Sequence, residues 1–298
     1  MNVTFVARGG VQTASSRFRA WNIVEAWQDR RVRCHWLEQI EGILDTIVAD
    51  VIVLQKPDFR RVGPRLLDDL AATGTRLICD IPDPVWCLMK DADWRDFASR
   101  VHDFVVSNPG LGRALEEDHG IKSTMIADRM PYTAKHKEHR ATLRPIMVWF
   151  GQSFSREVSL ASVGQHLARI RANDIPFTLR MIDESPEEEF RLQFGWNDWI
   201  DYRKWNLQTF EDELIQADFA LLPGFPGRWG QMKSWNKPIT ASWAGLPVTD
   251  GQSYDELYRL LTDVQYRTDQ GAKARAWAER EGDVRQSVQE WKDLLGWK

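Results

Sequence analysis

The chain has 298 residues, of which 43% are hydrophobic and 28% charged, and its formal net charge is −4. This composition predicts buried cores in a soluble protein, and the length suits two domains of ordinary size. The acidic balance argues against indiscriminate binding to nucleic acids. The sequence contains no run of about 18 apolar residues, so we expect no membrane span.

The N-terminus and the cysteines both favour a cytoplasmic protein. Residues 1–10 read as a strand that runs into a glycine turn, without the basic start and long apolar stretch of a signal peptide. Cys34, Cys79 and Cys87 lie in or beside apolar runs. An odd number of cysteines in that setting is typical of free thiols in a reducing compartment, and a zinc site needs more ligands at closer spacing.

In the first half of the chain, strand patterns alternate with helical patterns. We expect strands over 2–7, 32–36, 50–54, 75–79, 103–107 and 123–127, and helices over 15–27, 60–73 and 109–119. Strands that alternate with helices at this spacing predict a parallel sheet with right-handed crossovers.

A polar, basic segment over 133–144 reads as an interdomain linker, and the alternation restarts after it. We expect strands over 145–150, 177–182 and 218–222, and helices over 157–172, 207–216, 254–261, 271–280 and 284–295. The pattern predicts an α/β protein with two Rossmann-like, doubly wound domains, 1–140 and 141–298, facing each other across a cleft. The terminal helices are expected to be able to pack back on the first domain.

The segment 231–248 carries the most information about function. A helix entered through Lys233, Ser234 and Asn236 presents free backbone N–H groups, a positive dipole end and an ammonium group, which together suit a phosphate. Gly245 then ends the helix before the next strand.

This segment resembles the donor site of GT-B glycosyltransferases, especially the family-4-like enzymes, in which a Lys-Ser-x-Asn-Lys/Arg run precedes an Ala-rich helix and a Gly-Leu-Pro-Val strand. The resemblance covers roughly residues 3–265. It implies that the second domain, 141–298, binds a sugar nucleotide, with a UDP-sugar as the expected donor and no metal or other cofactor. It also implies that Lys233 stabilises the departing diphosphate, where a positioned ammonium acts most strongly in the transition state. Retention at the anomeric carbon is implied by the resemblance alone.

Two further turns fit a donor site in the second domain. Gly151, Gln152 and Ser153 follow a strand and precede a helix, where glycine lets the backbone approach a phosphate, and the family keeps a Gly-rich turn there. Asp183 and Glu184 close another strand, at positions near the base and ribose of the donor in GT-B enzymes. The alternatives are an ordinary strand-to-helix turn and a pair of helix-capping carboxylates.

Other donor contacts have equally plausible structural roles. Asn236 and Lys237 suit secondary contacts to phosphate or ribose, and they also suit a helix cap or the protein surface. Trp205 lies where the family has a loop over the base, so it can stack there or pack in a core.

One region departs from the family pattern. Many family-4 enzymes carry a Glu-x₇-Glu pattern around the donor sugar, whereas residues 223–231 contain no acidic residue. The sugar hydroxyls can instead meet the backbone of this Gly-rich loop, at Gly224 for example, or the side chain of Arg228. The sequence therefore leaves the donor sugar open.

The first domain carries a basic cluster that fits an acceptor. It comprises Gly10, Ser16, Arg17 and Arg19 after the first strand, and Lys56 and Arg60 with neighbouring Phe59, Arg61 and Arg65. Cations interleaved with aromatic residues favour an anionic acceptor, including phosphate-bearing polymers. The alternative is two helix N-terminal regions with solvated arginines.

Asp80 and Asp83 are the candidates for the catalytic base. Residues 80–86 resemble the Asp-x-Asp-Asp-x-Trp run of many GT-B relatives, and a carboxylate at a strand end can accept the proton of the acceptor hydroxyl. Capping of a proline-rich turn is the competing role. Asp128 reads as a turn residue near the hinge.

We therefore expect a glycosyltransferase that moves a sugar from a nucleotide diphosphate to an acceptor hydroxyl, in a bacterial or phage-infected host cytosol. A narrower alternative is a phage-type enzyme that glycosylates a hydroxymethylated base in DNA, favoured by the run 17–19 and by Arg60 and Arg61 and disfavoured by the net charge. Because the Glu pair is missing, a non-catalytic protein that binds sugar nucleotides or polyanions is the third alternative.

Overall fold

The computed structural model describes residues 1–40, 47–58, 62–194 and 197–298. Contacts divide the chain into a first unit of Met1–Pro131, Gln231–Asn236 and Asp283–Lys298 and a second unit of Tyr132–Gly230 and Lys237–Gly282. Compared with the predicted boundary at residue 140, residues 132–140 fall in the second unit, while 231–236 and 283–298 fall in the first. The predicted linker over 133–144 is therefore part of the second unit.

The first unit contains a parallel sheet of six strands in the order β2-β1-β3-β4-β5-β6. The strands are β1 (Val3–Ala7), β2 (Val32–Trp36), β3 (Val51–Gln55), β4 (Arg76–Ile81), β5 (Asp103–Val106) and β6 (Thr124–Met125). The strand order reverses between β1 and β3, so the carboxyl ends of these two strands mark the switch point where doubly wound sheets bind ligands.

The second unit contains a parallel sheet of five strands in the order β11-β10-β7-β8-β9. The strands are β7 (Ile146–Phe150), β8 (Thr178–Asp183), β9 (Ile200–Lys204), β10 (Phe219–Leu221) and β11 (Val248–Thr249). Here the order reverses between β7 and β10, which defines the switch point of this unit.

Helices connect the strands of both sheets. They are α1 (Ala14–Ser16), α2 (Asn22–Trp27), α3 (Leu37–Ile40), α4 (Pro64–Ala72), α5 (Asp91–Ala98), α6 (Pro109–His119), α7 (Ser153–Ala161), α8 (Gly164–Ala172), α9 (Glu187–Phe194), α10 (Phe210–Gln216), α11 (Gly227–Gln231), α12 (Asn236–Trp243), α13 (Tyr254–Thr262), α14 (Val264–Glu281) and α15 (Val284–Leu295). A π-helical turn, Arg17–Trp21, joins α1 to α2, and a 3₁₀ turn, Val85–Leu88, follows β4. Among the described helices, none combines the length and apolarity needed to cross a bilayer.

The central strands of each sheet are buried on both faces, as expected of parallel strands covered by helices. All five residues of β1 and of β3 are buried. In the first unit, Trp291 of the last helix packs edge-on against Phe5 of β1, with ring centroids 5.2 Å apart. In the second unit, Phe190 stacks on Tyr202 of β9, with centroids 4.2 Å apart. Each unit thus has its own core.

Candidate functional site

The switch point of the second unit contains a glycine, a lysine and a helix N-terminus. Gly151 follows β7, and α7 begins two residues later at Ser153. A Cβ added to Gly151 would lie only 2.4 Å from the Nζ of Lys237, so the glycine leaves the space that this ammonium occupies. The same Nζ lies 5.0 Å from the centroid of the Trp149 ring. The arrangement therefore places a cation beside the positive end of a helix, a combination that suits an anion.

Glu184 binds the N-terminus of α7. Its two carboxylate oxygens accept hydrogen bonds from the backbone N–H of Ser153 at 3.0 and 3.1 Å, and Oε1 also accepts from the Ser153 hydroxyl at 2.9 Å. Glu184 is exposed to solvent. An anionic side chain thus already occupies this helix end, which is the charge that the helix dipole favours.

Asp183, the neighbour of Glu184, is fully buried. Its carboxylate pairs with the guanidinium of Arg156 and accepts hydrogen bonds from the Ser185 N–H at 2.9 Å and the Tyr202 hydroxyl at 3.1 Å. Burial, followed by the nearby Asp183 charge, raises the pKa of Tyr202 above its usual range. All of these partners lie within the protein, and through them Asp183 stabilises the end of β8.

The other predicted donor residues are dispersed. Trp205 is half-buried against the core beside Phe210, with ring centroids 6.3 Å apart, and its backbone N–H donates to the carbonyl of Asp183 at 2.7 Å. Gly224 and Arg228 are exposed in the loop and short helix after β10. Trp205 is therefore placed for packing, and the Gly-rich loop is open to solvent.

Lys233 lies in the first unit, although the sequence suggested the second domain. Its Nζ lies 2.9 Å from Oδ1 of Asp83, and Lys56 donates to Oδ2 of the same carboxylate. The side chains of these three residues are 18 to 31% exposed. We call Lys56, Asp83 and Lys233 the lysine pair and its carboxylate. Asn236, the last residue of the same segment, is half-buried at the start of α12.

The protonation of Asp83 follows from this pairing. Burial alone raises the pKa of a carboxyl group, but the ammonium groups of Lys56 and Lys233 outweigh burial and hold the pKa of Asp83 below its usual range. Asp83 is therefore a carboxylate at neutral pH, and a weak base.

Asp80 is fully buried in an ion-pair network. The Nε of Arg19 lies 3.0 Å from Oδ2 of Asp80, while Nη1 of Arg19 lies 3.2 Å from Oδ1 of Asp128 and also donates to the carbonyl of Ile126. Burial raises the pKa of both aspartates, against the effect of Arg19. Ser234 adds a hydrogen bond to Asp128.

This network contains two residues that the sequence suggested for the site. Asp80 was a candidate base and Arg19 a candidate acceptor contact, but both side chains have zero exposure and satisfy each other. A π-helical turn directs Arg19 inward, while Arg17 from the same turn stays half-buried. Asp83 is thus the one of the two candidate bases that solvent reaches.

The side chains of Ser16 and Gln55 hold the turn after β1 through hydrogen bonds to its backbone. The Ser16 hydroxyl accepts from the Gly9 N–H at 3.1 Å and donates to Oε1 of Gln55 at 3.0 Å, and the same oxygen accepts from the Arg8 N–H at 3.3 Å. Gln55 is fully buried at the end of β3. Ser16 is therefore a support for the turn, and Gln55 is a supporting residue that the sequence did not identify.

Two tryptophans complete this support. The indole N–H of Trp21 donates to the Gly9 carbonyl and that of Trp36 to the Arg8 carbonyl, both at 3.1 Å. A Cβ on Gly10 would lie 3.6 Å from the Trp36 ring, which is ordinary contact. Arg17 donates to the carbonyl of Val11 at 2.9 Å, and burial lowers its pKa to about 10. Arg60, the remaining predicted acceptor residue, lies outside the described residues, as do Phe59 and Arg61.

Within the part of the chain that the structure describes, no group of three or more His, Cys, Asp or Glu side chains could hold a metal ion. The three cysteines are free thiols. Burial raises the pKa of Cys34 to about 12.

Comparison with solved structures identifies the fold. No protein-family model and no curated protein sequence matches the chain. An α-glucosyltransferase in complex with UDP and a DNA 13-mer containing an HMU base aligns with a TM-score of 0.71 and 9% identity, over 99% of this chain and 98% of that one. The lipopolysaccharide outer core galactosyltransferase WaaB aligns with a TM-score of 0.62 and 11% identity, over 99% of each chain.

Larger proteins share the fold over part of their length. The GtfA/B complex aligns with a TM-score of 0.56 and 14% identity over 87% of this chain, but the chain spans only 60% of its length. These neighbours have the GT-B fold, and the prediction of an α/β protein with two Rossmann-like domains is confirmed. The family-4-like subclass stays a prediction.

Proposed function

We propose that the chain is a glycosyltransferase that moves a sugar from a UDP-sugar to an acceptor hydroxyl. In this reaction the bond from the anomeric carbon to the diphosphate oxygen breaks, a bond to the acceptor oxygen forms, and UDP and the hydroxyl proton are released. The GT-B fold, shared with neighbours whose structures hold UDP, supports this proposal.

The observation that carries the proposal is the lysine at the switch point of the second unit. The ammonium of Lys237 lies against Gly151, next to the N-terminus of α7. A diphosphate bound there would receive a point charge, helix N–H groups and an unobstructed glycine backbone. We therefore assign the phosphate groups of the donor to Gly151, Gln152, Ser153 and Lys237.

Glu184 has a defined role in this proposal. Its carboxylate holds Ser153 at the start of α7, where an incoming phosphate would compete for the same N–H group. Once a phosphate has displaced it from this N–H group, the Glu184 carboxylate can accept hydrogen bonds from the hydroxyl groups of the donor ribose. Glu184 is thus assigned to the ribose, and Asp183 to the structural support of β8.

Two lysines are available to stabilise the departing diphosphate. Lys233 was assigned this role from the sequence, and Lys237 is the lysine held at the second switch point. We propose Lys237 as the contact of the leaving group, with transfer that retains configuration and needs no metal ion, and the role of Lys233 stays a prediction from the sequence. Activity that survives a chelating agent is the expected result; abolition by the chelator and recovery with a divalent cation would contradict metal independence.

The experiment that tests the proposal begins with binding. UDP and UDP-sugars should raise the melting temperature, and a donor at 100 times its dissociation constant should stabilise the protein by about 2.7 kcal/mol. Release of UDP in the presence of an acceptor then distinguishes an enzyme from a non-catalytic binder. Binding of UDP without transfer or donor hydrolysis would support the non-catalytic alternative, and absence of binding would reject the proposal.

A second candidate narrows the acceptor to a hydroxymethylated base in DNA. It is favoured by the likeness to an α-glucosyltransferase bound to DNA with an HMU base, over nearly the whole of both chains. Arg8 is exposed at the first switch point, close in sequence to Arg17. Transfer to duplex DNA carrying that base, with affinity that falls as salt rises, is expected. Equal affinity at low and high salt, or transfer only to free sugars, would reject this acceptor.

A further inference from the structure

The lysine pair and its carboxylate bring together three separate stretches of the first unit. Lys56 follows β3, Asp83 follows β4, and Lys233 belongs to the segment Gln231–Asn236. Lys56 is 27 residues from Asp83, and Lys233 is 150 residues from it. Two ammonium groups from different parts of the chain therefore meet on the two oxygens of one carboxylate.

The backbone at Lys56 is in an unfavourable conformation. Its φ of 46° lies in the left-handed region, which residues with a Cβ rarely adopt. Strain of this kind costs on the order of 1 to 3 kcal/mol and concentrates at functional sites, where surrounding contacts hold it. Here the Lys56 N–H donates to the carbonyl of Asp80 at 2.9 Å. The conformation is thus fixed by β4, and it directs a lysine side chain to Asp83.

The backbone beneath Lys233 is fixed as well. The side-chain amide of Asn108, which is 2% exposed, donates to the carbonyl of Met232 at 3.1 Å and to that of Lys233 at 3.2 Å. A Cβ on Gly110 would lie 2.3 Å from the Gln231 carbonyl oxygen, so this close approach requires glycine. The Lys233 side chain remains 31% exposed on this fixed backbone.

The carboxylate of Asp83 reduces the repulsion between the two ammonium groups and holds them close together. Two ammonium groups and one carboxylate sum to +1. Both oxygens of Asp83 accept hydrogen bonds from lysine, so the carboxylate offsets the repulsion between the two cations and sets their separation. All three side chains are partly exposed, and a phosphate arriving from solvent would meet two positioned ammonium groups.

We propose that Asp83 is a positioning residue that holds Lys56 and Lys233 side by side as a phosphate-binding pair. The proposal rests on the proposed glycosyl transfer, and it adds Lys56 as a phosphate contact and removes Asp83 as the base. The ligand is a phosphate oxyanion, and the test below distinguishes a diphosphate from a phosphate group on the acceptor, since both present the same oxyanion to the lysines.

The test uses the full chain with Lys56→Met, Lys56→Arg and Asp83→Asn, and Lys135→Met as the matched control. Lys135 also pairs with one aspartate, Asp212, but both side chains are more than half exposed in the second unit. Calorimetry gives the affinity for UDP and for inorganic pyrophosphate, and steady-state kinetics gives kcat and KM for donor and acceptor.

We expect Lys56→Met to weaken phosphate binding by about tenfold, the effect of losing one charge-assisted hydrogen bond. Asp83→Asn should weaken phosphate binding as well, because the two lysines lose the carboxylate that holds them side by side. Lys56→Arg should retain most of the affinity, and Lys135→Met should leave every constant unchanged. A higher dissociation constant for UDP and pyrophosphate identifies the donor diphosphate as the ligand. A higher KM for the acceptor alone identifies an acceptor phosphate.

The opposite pattern would overturn the proposal. If Asp83→Asn lowers kcat and removes the acid limb of the pH profile while both KM values stay constant, Asp83 is the base. Unchanged constants in Lys56→Met would remove Lys56 from the site. If the wild type binds pyrophosphate in a manner that depends on Lys56 but transfers no sugar, the phosphate pair stands and the proposed function fails.

Discussion

The two switch points differ in the side chains that surround the turn after the first strand of each sheet. In the first unit, the turn after β1 is tied down by Ser16, Gln55 and two indole groups, and the ionic groups nearby pair with one another. In the second unit, the turn after β7 holds a glycine beside the ammonium of Lys237 and an exposed carboxylate at the helix end. The switch point of the first unit is thus fixed by buried hydrogen bonds and ion pairs, while that of the second unit has polar groups that a ligand can rearrange.

The difference shows that charged residues near the end of a strand do not share one role. Asp80 and Asp83 are three residues apart, yet Asp80 is completely buried against Arg19 and the Asp83 side chain is partly exposed. Asp183 and Glu184 are adjacent, yet the first is buried and the second is exposed. Burial, more than position along the chain, separates the supporting carboxylates from those that can meet a ligand.

The largest effect is expected from removing the cation at the second switch point. Lys237→Ala should lower kcat by about 10²- to 10³-fold, the range for losing a group that stabilises transition-state charge. UDP release in the presence of acceptor is the measurement. Lys135→Ala is the control, because that lysine is exposed and distant in sequence from the site. Wild-type turnover in Lys237→Ala would show that this edge does not bind the diphosphate.

Breaking the buried ion pairs of Arg19 in the first unit should lower the stability of the fold rather than the catalytic rate of the folded protein. Arg19→Met leaves two buried aspartates without their cation, and we expect a loss of about 3 to 5 kcal/mol of unfolding free energy. Urea denaturation measures it. Arg95→Met, which removes an exposed pair with Asp91, should change the same free energy by less than about 0.5 kcal/mol. Equal losses in the two variants would contradict the distinction between buried and exposed pairs.

A smaller and more specific effect is expected from Gly151→Ala. The new Cβ would contact Lys237 Nζ and Cε, at 2.4 and 3.0 Å, which belong to a flexible side chain that can move away. Folding should therefore persist while UDP affinity falls by about tenfold, as measured by calorimetry. Gly164→Ala, where the added Cβ meets no atom within 4 Å, should change neither property. Unchanged UDP affinity in Gly151→Ala would separate this glycine from the donor site.

The smallest effect concerns pH. The pKa of Asp83 is lower in the folded protein than in the unfolded chain, so its ionisation stabilises the fold above the unfolded pKa of about 3.9. That stabilisation should disappear as pH falls from about 4 through the lower folded pKa. The difference in unfolding free energy between wild type and Asp83→Asn, followed from pH 7 downward, should stay level and then shrink below about pH 4. A difference that grows on acidification would contradict the pairing with two lysines.

The sequence predicted the sheets well where strands are apolar and continuous. Residues 2–7 and 50–54 match β1 and β3 closely because both are buried runs. The edge strand β9 was not predicted, since Ile-Asp-Tyr-Arg-Lys lacks an apolar run and its last two residues, Arg203 and Lys204, are exposed. The helix expected over 157–172 is two helices, α7 and α8, separated by a break at 162–163. Periodicity alone does not show such a break.

The site was harder to predict because its contacts join distant parts of the chain. The sequence identified Lys233, Lys56 and Asp83 separately, but nothing in it links residues that lie 150 positions apart. Arg17 and Arg19 looked equivalent in one run, whereas the π-helical turn buries only the second. Gln55 and Trp36 support the turn after β1 through hydrogen bonds to backbone groups, which leave no motif.

The division of the chain into units has a consequence for biosynthesis. The first unit includes residues 231–236 and the last sixteen residues, and its core contains Trp291 from α15. The N-terminal strands of this unit leave the ribosome long before Trp291, which packs against Phe5, has been synthesised. Nascent chains therefore expose this apolar surface until α15 has been made, and we expect the core of the first unit to be completed only after the whole second unit has been synthesised.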